Sequence, residues 1–159
     1  MSVQLPPNST GSVVDTLTTV TNSKERQVVL TNCAPPGGTG TNFSITHTPV
    51  AATQATITQA AAGAGIRNVA ASIFAVENIG GTLQTLIQLN LRDGATGAGT
   101  ILWSASLGGA TTFTTGTYVF NVSGICVVGT ANTAMTLEFS AAGVAASTQS
   151  VCLTGYTTA

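Results

Sequence analysis

Few side chains in this sequence can act as acid, base, nucleophile or metal ligand, and their spacing narrows the chemistry further. His47 is the single histidine, the cysteines are Cys33, Cys126 and Cys152, and the acids are Asp15, Glu25, Glu77, Asp93 and Glu138. A structural zinc site needs four Cys or His ligands held together, and one histidine with three scattered cysteines does not supply them. A glycosidase needs two carboxylates facing one substrate at roughly 5 to 9 Å, whereas these acids sit in different segments. Cys33 and His47 could meet for nucleophilic catalysis, but the loop between them holds Pro35, Pro36, Gly37 and Gly38 and no group to orient the base. The glycine pairs at 80–81 and 108–109 follow strand-like runs without the lysine and helix of a phosphate-cradling loop, and read as turns. The chain is therefore expected to have no catalytic, cofactor-binding or metal-binding residues, and not to be an enzyme.

The four basic residues, Lys24, Arg26, Arg67 and Arg92, form no run, and the formal net charge is -1. Nucleic acid is not an expected partner, because phosphate backbones are held by clustered Lys and Arg. No stretch approaches eighteen apolar residues and the amino end lacks a basic-then-apolar signal, so neither a membrane partner nor export is expected, and synthesis in a cytoplasm is. An odd number of cysteines without a C-x-x-C pairing points to buried thiols and away from a disulfide framework.

Composition carries more information than the reactive groups. Of 159 residues, 29 are Thr, 22 Ala and 18 Gly, and only 6% are charged. An ordinary globular domain carries about a quarter charged residues. A freely diffusing protein uses mixed charge for colloidal repulsion, and one held in a fixed assembly escapes that need.

The elements read as β throughout. Residues 1–10 form a proline-containing leader, residues 11–21 and 26–31 a hairpin, and residues 33–42 (CAPPGGTGTN) a loop. Residues 43–48 alternate as a strand, and 50–65 read as a linker with a possible short strand. From Arg67 onward, strand-like segments recur at the spacing of a sandwich or barrel. Residues 83–92 form the clearest strand, with Leu83, Thr85, Ile87, Leu89 and Leu91 on one face. Ile101, Trp103, Ala105 and Leu107 form the inward set of the next, after a loop begun by Asp93-Gly94. Tyr118, Phe120 and Val122, then a separate strand 125–128, then Met135, Leu137 and Phe139, then Val151, Leu153 and Gly155 complete the core set. Two domains are expected: residues 1–60 as arm and hairpin, and 61–159 as a β-sandwich. Trp103, Phe120 and Phe139 read as core aromatics, and Tyr156 as the one ring free for a ligand.

Leu86, Leu102, Val119 and Cys152 fall opposite the best core positions, where an antiparallel sheet is normally polar. A covering partner is implied, either a neighbouring subunit or the amino-terminal hairpin. Glu138 also faces away from the core, so Arg67 or Arg92 of an adjacent strand or subunit is its expected partner, and the subunit pairing is favoured. Asp93 reads as a turn former accepting backbone N–H bonds, and Arg92 as an edge cation whose stem covers apolar surface.

The runs IQLNLRDGATGAGTILWSASL (87–107) and TAMTLEFSAAGVAASTQSVCLTGY (133–156) resemble the jelly-roll or TNF-like β-sandwich modules of small structural proteins of tailed bacteriophages. LPPNSTGSVVDTLTTV (5–20) is similar to the amino ends of phage virion proteins. The resemblance implies an all-β, jelly-roll-like antiparallel sandwich with an extended N-terminal arm or hairpin. It further implies a capsid decoration or cement protein on the virion exterior, a homo-oligomer of trimeric type bound to the major capsid protein. Under it, Leu5, Pro6, Pro7, Val13, Val14, Leu17 and Arg26 of the arm, with Leu86 and Glu138 of the sandwich, are the expected capsid or subunit contacts. The alternative is a tail or fibre-tip module binding a host receptor. The chain shows neither heptads nor shaft repeats, which favours decoration.

Overall fold

The computed structural model describes residues 40–80, 84–85, 88–106, 112–113 and 115–159. The leader, the first hairpin and most of the glycine loop lie outside these, as do Leu83, Leu86, Ile87 and Leu107. Among the described residues every regular element is a strand: β1 (Asn42–His47), β2 (Thr56–Gln59), β3 (Arg67–Ile79), β4 (Gln84–Thr85), β5 (Gln88–Asp93), β6 (Thr100–Ser106), β7 (Thr112–Phe113), β8 (Gly116–Val128), β9 (Met135–Phe139) and β10 (Thr148–Thr158).

Two four-stranded antiparallel sheets, in orders β1-β10-β3-β8 and β2-β9-β5-β6, make the sandwich, and β4 and β7 pair separately. The pairings β1 with β10, β2 with β9, β3 with β8 and β5 with β6 are nested, first strand with last. A long antiparallel ribbon folded in this way and rolled over itself gives the jelly-roll order, in which β10 reaches β3 and β9 reaches β5. Apolar side chains at every second position explain the rolling. Ile73, Ala75, Val151 and Leu153 face inward from one sheet, Leu89, Leu91, Met135, Leu137 and Phe139 from the other, and all are buried in one cluster. Trp103 of β6 meets Phe120 of β8 edge to face, with centroids 5.7 Å apart, and closes the space between the sheets at that side.

The structure departs from the expected elements at three places. β1 and β2 fall within residues 1–60, the segment assigned to an arm, yet both are strands of the sandwich. Phe43, Ile45 and Ile57 pack on the core and Ala55 is wholly buried, so the apolar alternation continues upstream of residue 61. Within the strand expected over 83–92, the described residues form β4 and β5, and 83, 86 and 87 lie outside them. In β6, a register shift opposite Leu91 and Arg92 brings both Leu102 and Trp103 against the core and leaves Ile101 exposed. The strand expected at 125–128 is the continuation of β8, where a bulge opposite Ala71 inserts Gly124 and Cys126 at φ 70° and 46°. That bulge moves the inward set from Tyr118 and Phe120 to Ile125 and Val127, and the phase change looks like a strand break in sequence.

Gly155 lies opposite the bulge of β3 at Ala71, where an added Cβ would lie 2.0 Å from the Val69 carbonyl oxygen and 2.7 Å from the Phe43 ring. Gly155→Ala is expected to cost about 1–3 kcal/mol, as for other overpacked sites. An unchanged urea midpoint would show that the strands separate without penalty.

Candidate functional site

The ionisable side chains are tied into the fold. Glu138 of β9 is 1% exposed and receives Arg92 Nε of the neighbouring β5 at 2.5 Å and the Gly97 N–H at 2.9 Å. The subunit pairing expected for Glu138 is thus replaced by a partner in the same chain, and the buried carboxylate is no contact surface. Its cover is the loop between β5 and β6. Gly94, Gly97 and Gly99 take φ of 138°, 69° and 80°, which lets residues 94–99 fold back over the outer face of β9. Thr136 Oγ1 donates to the Gly94 carbonyl at 2.7 Å, and the Thr56 and Thr96 hydroxyls meet at 2.9 Å. Arg92, expected as an edge cation, is consequently an interior partner with a 3.4 Å bond to the Gly99 carbonyl.

Asp93 accepts the Thr130 N–H on both carboxylate oxygens, at 3.0 and 3.1 Å. It accepts backbone N–H as expected, but from the β8–β9 connection and not from its own turn. His47 is half-buried and its Nδ1 accepts the Thr56 N–H at 3.3 Å, a contact that joins β1 to β2. Beside that contact Gln149 bridges the Ala55 N–H, the Ala141 carbonyl and Glu77. Arg67 donates to the Gly129 carbonyl at 3.1 Å. Buried polar groups with partners in this way are structural, and among the described residues no group of three or more His, Cys, Asp or Glu could hold a metal ion. One open pocket of about 300 Å³, lined by Thr41, Ala62, Ile66, Thr157, Thr158 and Ala159, presents no acidic, basic or aromatic side chain.

The cysteines differ from expectation. Cys126 is disulfide-bonded, and Cys152 is a free, half-buried thiol on the outer face of β10.

The two outer faces contrast sharply in chemistry. The face of β2-β9-β5-β6 is covered by its loop and its polar network. The face of β1-β10-β3-β8 has no such cover among the described residues. Its rows across the strands are Thr158–Arg67, Asn42–Tyr156–Val69–Val128, Ser44–Thr154–Ser72–Ser123, Thr46–Cys152–Phe74–Asn121, Ser150–Val76–Val119 and Thr148–Asn78–Thr117. Apart from Arg67 at one margin, no carboxylate, guanidinium, ammonium or imidazole occurs in these rows. Phe74 is 40% and Val119 57% exposed, and with Val76 and Cys152 they form an apolar centre inside a rim of Ser, Thr and Asn. An apolar centre with a polar rim is the anatomy of a protein-binding surface.

Of the residues expected at a contact, Leu5, Pro6, Pro7, Val13, Val14, Leu17, Arg26 and Leu86 lie outside the described residues, and Glu138 is interior. Val119 and Cys152 do lie on the uncovered face, whereas Leu102 packs on the core. Phe74 was the missed member: it alternates with buried Ile73 and Ala75, a signal readable from the period of two. Tyr156, expected to be free for a ligand, is only 9% exposed. No protein-family model, curated protein or solved structure matches the chain.

Proposed function

We propose that this chain is a bacteriophage capsid decoration protein that adheres to the major capsid protein lattice and to its own copies, adding binding free energy to the shell. The observation that carries the proposal is the outer face of β1-β10-β3-β8, uncharged over its middle rows, with Phe74 and Val119 exposed at its centre. Such a face binds without desolvating charge, and its Thr, Ser and Asn rim supplies hydrogen bonds. The scarcity of charge over the whole chain suits a protein that works in a fixed array. A trimer on a local three-fold axis would present one contact three times, so that modest contacts add through effective concentration. The burial of Tyr156 weighs against the alternative, a receptor-binding tip, which needs an open aromatic platform beside polar groups.

The test uses shells of the phage with this gene deleted, heated with and without the purified protein. Added protein is expected to raise the rupture temperature, and equal rupture temperatures would overturn the cement role. The double variant Phe74→Ser, Val119→Ser is expected to lose about tenfold or more in shell affinity, the range of interface hot spots, with its unfolding midpoint almost unchanged. Full affinity in that variant would place the docking surface elsewhere.

A further inference from the structure

The sheet β1-β10-β3-β8 ends at β8, which pairs with β3 on one side and, among the described residues, with no strand on the other. An edge strand offers a row of N–H and C=O groups to another chain, and natural edges are blunted by charge, proline, bulges or shortness. The stretch 116–123 of β8 has none of these: it reads GTYVFNVS and pairs with β3 without interruption, and the bulge of β8 follows it. The exposed large apolar side chains also gather here. Among the described residues all of them but Val50 lie on β8 (Val119, Val128), on the adjoining β3 (Phe74) or on β6 (Ile101), whose Trp103 meets Phe120 of β8 at this side of the sandwich. We propose that two copies of this chain associate through antiparallel pairing of β8 with β8 about a two-fold axis, which joins their four-stranded sheets into one of eight strands.

The choice of a second copy rests on the sequence of the edge itself. A strand without charge meets its own copy without like-charge repulsion, and this one is self-complementary in a single register. Directly opposed residues of an antiparallel pair share a face, so a two-fold axis in the middle of 116–123 sets either Val119 or Phe120 opposite itself. With Val119 on the axis, Val119 opposes Val119 and Thr117 opposes Asn121 on the outer face, while Tyr118 opposes Phe120 on the inner one. Apolar meets apolar, polar meets polar and ring meets ring. With Phe120 on the axis, Val119 would oppose Asn121. The first register is therefore the one assigned.

In that register the outer row Ser150–Val76–Val119 runs on into the same row of the second copy. The half-buried Tyr118 and Phe120 rings gain cover from their counterparts at the open side of the sandwich. The axis stands across the sheet, so both outer faces lie on one side and both Phe74 rings are presented together. The pairing does not depend on the capsid role, and its test needs no shell.

Sedimentation equilibrium of the full chain over a range of concentrations is expected to show monomer and dimer, and hydrogen exchange in 116–123 is expected to slow as the dimer fills. Thr117→Lys with Asn121→Lys sets like charges opposite each other twice and is expected to weaken the dimer by about tenfold or more. Thr117→Glu with Asn121→Lys sets opposite charges there and is expected to stay within about threefold of the wild type. Both positions are exposed in the isolated chain, and the unfolding midpoint of each variant is read alongside. Phe74→Ser removes a ring from the face and nothing from the edge, and is expected to leave the dimer intact. If a charged variant fails to fold, exchange in the wild type decides alone, and unchanged exchange in 116–123 on dimerisation would overturn the pairing. Monomer mass at every concentration, a dimer that withstands both lysines, or one that Phe74→Ser dissolves would also overturn it. A trimer would overturn the pairing and leave the capsid role standing.

Discussion

Arg92→Ala is expected to lower the stability of the chain by about 3–5 kcal/mol, read as a large fall in the urea midpoint, because it strands a buried carboxylate. Glu138 is enclosed between β2, β5 and the 94–99 loop, and without Arg92 its remaining described donor is the Gly97 N–H. One backbone donor does not replace the hydration of a carboxylate. The opposite truncation, Glu138→Gln, is expected to cost less, since the Arg92 side chain keeps 18% exposure and can be hydrated. Replacing both partners by apolar residues, Arg92→Met with Glu138→Leu, is expected to recover most of the loss. A wild-type midpoint for Arg92→Ala would mean that water reaches Glu138 through a loop that opens readily.

The same pair shows where sequence reasoning succeeds and where it stops. The period of two identified Leu89, Leu91, Met135, Leu137 and Phe139 as core, because one face of a strand must be buried and alternation records which. It also placed Glu138 and Thr136 on the opposite face, which is correct, but both are buried there. Alternation is blind to a loop that returns over the second face. The glycines at 94, 97 and 99 announced a turn, yet their φ values do not reveal that the turn lies on β9. Bulges are the second blind spot. A single inserted residue exchanges inward for outward positions downstream, which hid Leu102 in the core and turned Ile101 out. The fold class survived these errors because it depends on the recurrence of strands, and the candidate docking face was legible only in Val119 and Cys152.

Phe139→Ala is the second large effect, at about 3–5 kcal/mol, and it separates the inner from the outer apolar surfaces. Phe139 is wholly buried on β9, its N–H bonds to the Ala55 carbonyl at 3.1 Å, and Gln54 Nε2 donates to its carbonyl. The hydrogen bonds from its main chain hold β9 against the residues entering β2, so neighbours have little freedom to collapse into the vacated ring volume. A cavity that cannot relax costs both the lost transfer energy and the lost contacts of its lining. Phe74, the same residue type on the outer face of β3, removes far less area from water in the isolated chain, and Phe74→Ala is expected to shift the midpoint by only a few tenths of a kcal/mol. If Phe74→Ala destabilised the isolated chain as much as Phe139→Ala, the outer face would already be covered by the chain itself. If it does not, an apolar ring that contributes little to folding remains available for the binding that the uncharged sheet face favours.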